Sequence, residues 1–386
     1  MAYKNDGIRG MVPAEKMCEN ARKLRDTYKI KPDAPLFQKE FGFLSLEAWK
    51  KQGMPKDVPL RKLFGFDEPG NHYLTGLGWC EAGFMPAFPE KMIEDRGVHE
   101  VIQDKAGRYV LYFKGRRSGF MPEYLDHPVK DMKTWEEKCK WRLNPETPER
   151  YKNLQETLGK AKKEAATGKI ISQQVVGGYM YLRSLIGPEG LLYKFYDEPE
   201  LIHKCMKTWL ELADAVISKH QEQVSLDEFF IAEDICYNKG PLISPEMIKE
   251  FLFPYYRQLI GNIKSRQLDK NRHLYFQVDT DGYAPSVIPL YMDIGMDVMS
   301  PFEAASGCDV LEIGREFPGM VISGGIDKRI LAKGKDAIDR YIDHVLPAMK
   351  KRGGYIPTCD HDVPEEVPYE DYFHYRKRCL EFAGEK

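Results

Sequence analysis

Short apolar runs alternate with amphipathic stretches along the C-terminal half of the chain, and the alternation is regular from about residue 169. Lys169-Ile-Ile-Ser-Gln-Gln-Val-Val-Gly-Gly reads as a strand closing on glycines. A helix follows from about Tyr179 to Tyr196, and another begins at Pro199 with Leu201, Cys205, Met206 and Trp209 on one face. Glu228-Phe-Phe-Ile-Ala-Glu-Asp is a strand ending in two acids. Ser244-Pro-Glu-Met has the grammar of a helix start, with Ser as cap and Pro in the first turn. His273-Leu-Tyr-Phe-Gln-Val-Asp-Thr-Asp-Gly, Asp297-Val-Met-Ser-Pro-Phe-Glu, Met320-Val-Ile-Ser-Gly-Gly-Ile-Asp and Gly354-Tyr-Ile-Pro-Thr-Cys-Asp-His read as further strands. Helical stretches separate them, one near 335 to 349 and one at the C-terminus.

The N-terminal part is less periodic. Met17, Ala21, Leu24 and Tyr28 recur at helical steps and predict a helix over 8 to 30. Pro35-Leu-Phe-Gln-Lys-Glu-Phe-Gly-Phe reads as a strand leading to a short helix. Residues 54 to 98 are rich in Gly, Pro and aromatics with little periodicity. The stretch 76 to 89, with Trp79 and Phe84, is either a functional loop or a structured surface excursion. Val101-Ile-Gln-Asp and Tyr109-Val-Leu-Tyr-Phe, joined by a turn at Gly107, predict a β-hairpin. Residues 126 to 167 are charged and helical, with Trp135 and Trp141 as expected core anchors.

Repeated strand–helix alternation means a parallel sheet with helical crossovers. No Gly-x-Gly-x-x-Gly follows a strand, so a dinucleotide-binding sheet loses its main support, and a (β/α)8 TIM barrel is preferred. One barrel with insertions accommodates 386 residues. The expected organisation is a single domain over 1–386, with N-terminal helical and β-hairpin elaborations and first barrel units in 1–168 and regular β/α units in 169–386. The 57 Lys and Arg nearly cancel the 59 Asp and Glu, which gives no sign of a nucleic-acid or membrane partner. The N-terminus carries no apolar signal core, so the expected location is the cytoplasm, and the eight dispersed cysteines are expected to be reduced and mostly buried.

The candidate chemistry lies where the apolar runs end. Glu233 and Asp234, Asp279 and Asp281, Glu303, Asp327, and Cys359, Asp360 and His361 all close strands. In a parallel barrel these ends converge on the face where active sites form. Such a crown must be neutralised by a divalent metal, by cations such as Lys239, Lys328 and Arg329, or by raised pKa values. The alternative, capping of the following helices, is preferred for Asp309 and Glu246. Asp279 and Asp281 share strand parity, as do Cys359 and His361, so each pair should point one way. A mixed zinc site is chemically possible. The candidates are Asp279, Asp281, Glu233 and His361 as catalytic groups, with Glu233, Asp279 and Cys359 as possible metal ligands. Tyr179, Trp79, Phe84 and Asp327 are candidates for substrate contact. Tyr181 and Arg183 also follow the Gly177-Gly178 turn, where Tyr181 is expected to pack.

In order and spacing, several stretches resemble the uroporphyrinogen decarboxylase-like superfamily. They are Gly187-Pro-Glu-Gly-Leu-Leu-Tyr with Tyr196-Asp-Glu-Pro-Glu-Leu, Ala232-Glu-Asp with Pro241-Leu-Ile-Ser-Pro-Glu-Met, Val278-Asp-Thr-Asp-Gly, Pro301-Phe-Glu, Gly324-Gly-Ile-Asp-Lys-Arg and Pro357-Thr-Cys-Asp-His-Asp-Val-Pro. The Met-Arg-Gln-Ala-Gly-Arg-Tyr stretch with which true uroporphyrinogen decarboxylases grip polycarboxylates has no equivalent here. In the thiol-activating methyltransferases of the superfamily a His-x-Cys pair and a later Cys hold zinc. By position these fall on Asp279, Asp281 and Cys359, so two of three ligands are replaced by acids. The resemblance therefore implies a methyltransferase that takes a methyl group from a small donor, foremost an aryl methyl ether, to the corrinoid of a partner protein, with zinc as a candidate metal. A tetrapyrrole decarboxylase is the alternative.

Overall fold

The computed structural model describes residues 17–117, 122–267 and 273–384. Seven strands form one parallel sheet, ordered β1 (Asn71–Leu74), β6 (Ile170–Val176), β7 (Glu228–Ala232), β10 (Tyr275–Thr280), β11 (Val298–Pro301), β12 (Val321–Ser323) and β13 (Tyr355–Ile356). Five of these neighbouring steps are consecutive β/α crossovers in the C-terminal half, as the alternating pattern requires. The register sets Asp279 of β10 beside Ala232 of β7 and Ser300 of β11. The first residues of β6, β10, β11 and β12 (Ile170, Tyr275, Val298 and Val321) pack with Phe37 and Ile356 into an apolar plug. The strand ends therefore stand above a closed hydrophobic base.

The expected eight-stranded closure is met only in part. The stretch predicted as the first strand, from Pro35, forms no ladder and makes one isolated parallel bridge, Phe43 to Val363, outside the sheet. Side chains occupy its pairing positions instead: the amide of Gln38 donates to the Asp67 carboxylate (2.6 Å), and Glu40 Oε1 accepts the amide of Cys359 (2.8 Å). The short helix after it, Leu46–Lys51, is present.

The predicted hairpin is two strands of a larger antiparallel sheet, β2 (Lys91–Arg96), β3 (His99–Gln103), β4 (Tyr109–Phe113) and β5 (Glu123–Asp126). A two-stranded β8 (Cys236–Tyr237) and β9 (Gly240–Pro241) follows β7. β1 and β2 both lie in the stretch that shows no periodicity. β2 is exposed along its whole length and has no buried face to mark it. The helix expected over 8 to 30 is Glu19–Tyr28 within the described residues; its first part lies outside them. The helix expected from Tyr179 to Tyr196 is two, Gly178–Ile186 and Pro188–Asp197, because Gly187 takes a positive φ of 94° and Pro188 starts afresh. Trp135 is fully buried as expected, but Trp141 is 49% exposed and stacks with Arg142 instead. All eight cysteines are free and six are buried. Among the described residues no helix is long and apolar enough to cross a membrane.

Candidate active site

At the strand ends a cavity of about 550 Å3 opens. Asp279, Asp281 and His361 line one part of it. Phe41, Trp79 and Tyr124 supply aromatic wall, and Arg108, Arg183 and His127 supply the cationic and polar wall. The volume lies within the roughly 300–1,000 Å3 usual for small-molecule sites.

The strand alternation delivers the two acids together. Asp279 ends β10 pointing inward, and Asp281, two residues on, keeps the same side. Ser300 donates to Asp279 Oδ2 at 2.5 Å, which follows from their direct pairing across β10 and β11. Burial pushes the Asp279 carboxyl up to about 7, the Ser300 bond opposes this, and the neighbouring charges of Asp281 and Asp234 add to it. Asp281 is pushed up to about 6, by burial first and then by Asp234. Two neighbouring carboxyls in a poorly solvated site resist double ionisation, which holds both above the ordinary carboxylate range. His361 Nε2 stands 3.7 Å from Asp281 Oδ2. Its Nδ1 accepts the amide N–H of Asp362 at 2.8 Å, so the ring proton sits on Nε2 and faces Asp281.

Asp234 adopts a left-handed conformation (φ 44°), which is strained for a residue with a Cβ. Its amide and that of Glu233 both donate to the carbonyl of Asp279 (3.2 and 2.8 Å). The turn presents the Asp234 carboxylate to the cavity, where Arg183 Nη2 meets Oδ2 at 2.5 Å. Glu233 goes the other way. It is fully buried, accepts the Tyr256 hydroxyl at 2.5 Å and the amide of Tyr179 at 3.3 Å, and is pushed up to about 7 by burial. It anchors the start of the helix Gly178–Ile186 outside the cavity lining. The Gly177-Gly178 pair is required there, since a Cβ on Gly177 would stand 2.2 Å from Glu233 Oε2.

Of the expected catalytic groups, the structure brings together Asp279, Asp281 and His361, and sets Glu233 apart. The expected ligand trio Glu233, Asp279 and Cys359 does not assemble. Cys359 is fully buried beyond the end of β13, with Glu40 and Asp360 as its nearest acids. Strand parity with His361 fails because β13 stops at Ile356. Among the described residues no three His, Cys, Asp or Glu side chains are grouped to hold a metal ion. Glu233, Asp279 and Cys359 thus do not form one ligand set.

Of the expected substrate contacts, only Trp79 lines the cavity, 42% exposed and stacked flat on Phe230 (5.5 Å, 2°). Phe84 packs edge-on against Phe88 (5.3 Å). Tyr179 is buried behind the cavity wall. Asp327 caps the helix Lys328–Leu331 and grips the Arg329 guanidinium (2.9 Å). Asp309 caps its helix, as expected. Of the cations named from sequence, Lys328 approaches Asp360 (3.6 Å), and Arg329 is taken by Asp327. Tyr181 packs in the core with its hydroxyl on the carbonyl of Cys205. Arg183 faces the cavity.

Sequence reasoning missed Arg108, Tyr124 and His127, which come from the antiparallel sheet and the segment after it. Arg108 Nε and Nη2 bind Asp104 Oδ2 (both 2.8 Å), and its guanidinium lies 4.7 Å over the Tyr124 ring. His127 is pushed down to about 4 by burial and by Arg108, so it is neutral at physiological pH. No periodic signal marks these residues, because their role depends on how a surface sheet leans over the strand ends.

A family model described as uroporphyrinogen decarboxylase (URO-D) matches residues 117–380, more than half of the chain. The solved structure of a methyltransferase from Methanosarcina mazei superposes with a TM-score of 0.57 at 13% identity, over 94% of this chain and 98% of that one, a likeness of fold. A protein described as a vitamin-B12 independent methionine synthase from Listeria monocytogenes overlaps with a TM-score of 0.31 at 13% identity, over 58% of this chain and 66% of that one, too slight to bear on the fold. No curated protein matches by sequence.

Proposed function

We propose, for a chain that belongs to the uroporphyrinogen decarboxylase (URO-D) family, a methyltransferase that removes the methyl group of a small methoxylated aromatic and passes it to a corrinoid carried by a separate protein. The observation that carries this reading is the placement of two acids, Asp279 and Asp281, both pushed up by burial, in a small cavity walled by Phe41, Trp79 and Tyr124. The fold-level likeness to a methyltransferase along nearly all of both chains supports it.

An aryl ether oxygen leaves poorly as an anion and readily once protonated. Asp279 Oδ2 is held by Ser300, and among the described residues Oδ1 has no hydrogen-bond partner, so Oδ1 is free to serve the substrate. As the methyl–oxygen bond breaks, its electron pair stays on oxygen and the carboxyl proton moves to that oxygen, giving a phenol. The methyl group departs to the reduced corrinoid, which supplies the nucleophile when bound. His361 Nε2–H, 3.7 Å from Asp281 Oδ2, offsets part of the negative charge left on the pair. Flat aromatic walls orient the ring and exclude water.

The alternative is decarboxylation of a tetrapyrrole, favoured by the guanidiniums of Arg108 and Arg183 at the cavity wall. One experiment separates the two. Purified protein is supplied with guaiacol or 3-methoxybenzoate and a corrinoid acceptor reduced to Co(I), and separately with uroporphyrinogen alone. Phenol release that depends on the corrinoid is the expected result. Carbon dioxide release from uroporphyrinogen without corrinoid, and no phenol, overturns the reading in favour of the alternative.

A further inference from the structure

The cavity is electrically divided. Asp279 feels the charges of Asp281, Asp234 and Lys39, and Asp281 those of Asp234, His361, Glu303 and Lys328. Cys80 and His127, on the opposite wall, respond to Arg108, and Cys80 also to Arg183 and Asp234. The Arg183–Asp234 ion pair lines the same cavity. A ring held across this space has an acid end at the strand tips and a guanidinium end under the antiparallel sheet.

We propose that Arg108 binds a carboxylate on the substrate ring, so that the antiparallel sheet β2–β5 selects acidic aromatic methyl ethers over neutral ones. Arg108 is built for such a contact. Asp104 fixes the guanidinium through Nε and Nη2, and Tyr124 supports its flat face. Among the described residues Nη1 has no hydrogen-bond partner and is free to donate. A pre-oriented guanidinium suits a carboxylate better than a mobile ammonium does. The neutral ring of His127 adds a polar group beside it without adding charge. Asp104 is anchored independently, because its Oδ1 accepts the amides of Ala106 and Arg108 (3.0 and 2.9 Å) and shapes the β3–β4 turn. Asp104→Asn therefore keeps the turn while releasing Arg108 from its counter-charge.

This inference rests on the proposed aromatic substrate, but its test needs no methyl transfer. Calorimetric titration of the full chain with 3-hydroxybenzoate and with phenol reads the ring with and without its carboxylate. In Arg108→Gln, 3-hydroxybenzoate is expected to weaken by at least about tenfold while phenol stays within about threefold. Asp104→Asn, which removes the acceptor that orients the guanidinium, is expected to weaken 3-hydroxybenzoate by about threefold or more with phenol little changed, which a pair serving only the turn would not do. Equal losses for both ligands in Arg108→Gln, unchanged 3-hydroxybenzoate binding in Asp104→Asn, or a wild-type chain indifferent to the carboxylate each overturns the inference. Selective binding without any methyl transfer leaves Arg108 in place and removes the proposed reaction. Methyl transfer without selectivity does the reverse.

Discussion

The two ends of the cavity are built on different principles. The acid end stands on the strands: Asp279 ends β10, Asp281 follows at the same parity, and Ser300 faces Asp279 from the paired position on β11. The aromatic and guanidinium end stands on Trp79, on the turn before β4, and on β5 and the segment after it. The floor's positions are fixed by backbone ladders buried on both sides. The wall's positions depend on a sheet whose outer strand is wholly exposed. A floor held by ladders suits chemistry that tolerates little misplacement, and a wall on surface segments can vary with the substrate. The comparison therefore assigns reactivity to the strand ends and selectivity to the insertion.

The largest expected break in that comparison is at the floor. Asp279→Asn should cut kcat for ether demethylation by about 10²–10⁴-fold, the range for loss of a general acid. Glu233→Gln, at a more deeply buried acid on the neighbouring strand end, should leave kcat within about threefold, because Glu233 serves the helix start and not the cavity. Steady-state phenol release from both variants checks the pair. Equal losses would place Glu233 in the reaction and dissolve the distinction. At the wall a smaller effect of a different kind is expected. Trp79→Ala removes the ring stacked on Phe230, and KM for the aromatic ether should rise by about tenfold with kcat little changed. A fall in kcat as large as that of Asp279→Asn would show that the wall too is part of the reacting centre.

The smallest effect is on stability. Folding raises Asp279 and Glu233 to about 7 and Asp281 to about 6, above the roughly 4 they have in an unfolded chain. Between those values the folded state holds protons that the unfolded state has lost, so stability falls as pH rises from about 4 to about 7. Melting temperature followed from pH 5 to pH 8 should decline, and less steeply in Asp279→Asn, which carries no proton to lose. An identical slope in the variant would mean that Asp279 is ionised at all these pH values in the folded protein.

The same division explains what could be read from the chain. The parallel β/α half is legible because burial on both faces forces continuous apolar runs, and the residue after such a run must stand at the sheet's end. Asp279, Asp281 and His361 follow that logic to one cavity. It failed at Glu233, because consecutive residues at a turn diverge, and a left-handed Asp234 turns its neighbour away. It failed at Cys359, because parity holds only while a strand lasts and β13 is two residues long. Asp327 was misplaced because a cap and a ligand look alike in sequence, and only the Arg329 contact decides between them. The missing first strand has the same origin, since Glu40 and Asp67 take backbone amides by side chain where a ladder was expected. Arg108, Tyr124 and His127 left no trace, because a tertiary lean of one sheet over another has no period.

The account's central claim is that the Asp279–Asp281 pair carries a proton near neutral pH and gives it to the leaving oxygen. The most direct test is the pH dependence of kcat/KM for 3-methoxybenzoate demethylation in the wild type and in Asp279→Asn, at saturating reduced corrinoid protein. The wild-type rate should fall as pH rises through about 7, as the carboxyl is lost, while the variant stays low and flat across the same range. A wild-type rate that climbs through that range, or a variant that keeps the wild-type profile, contradicts the claim.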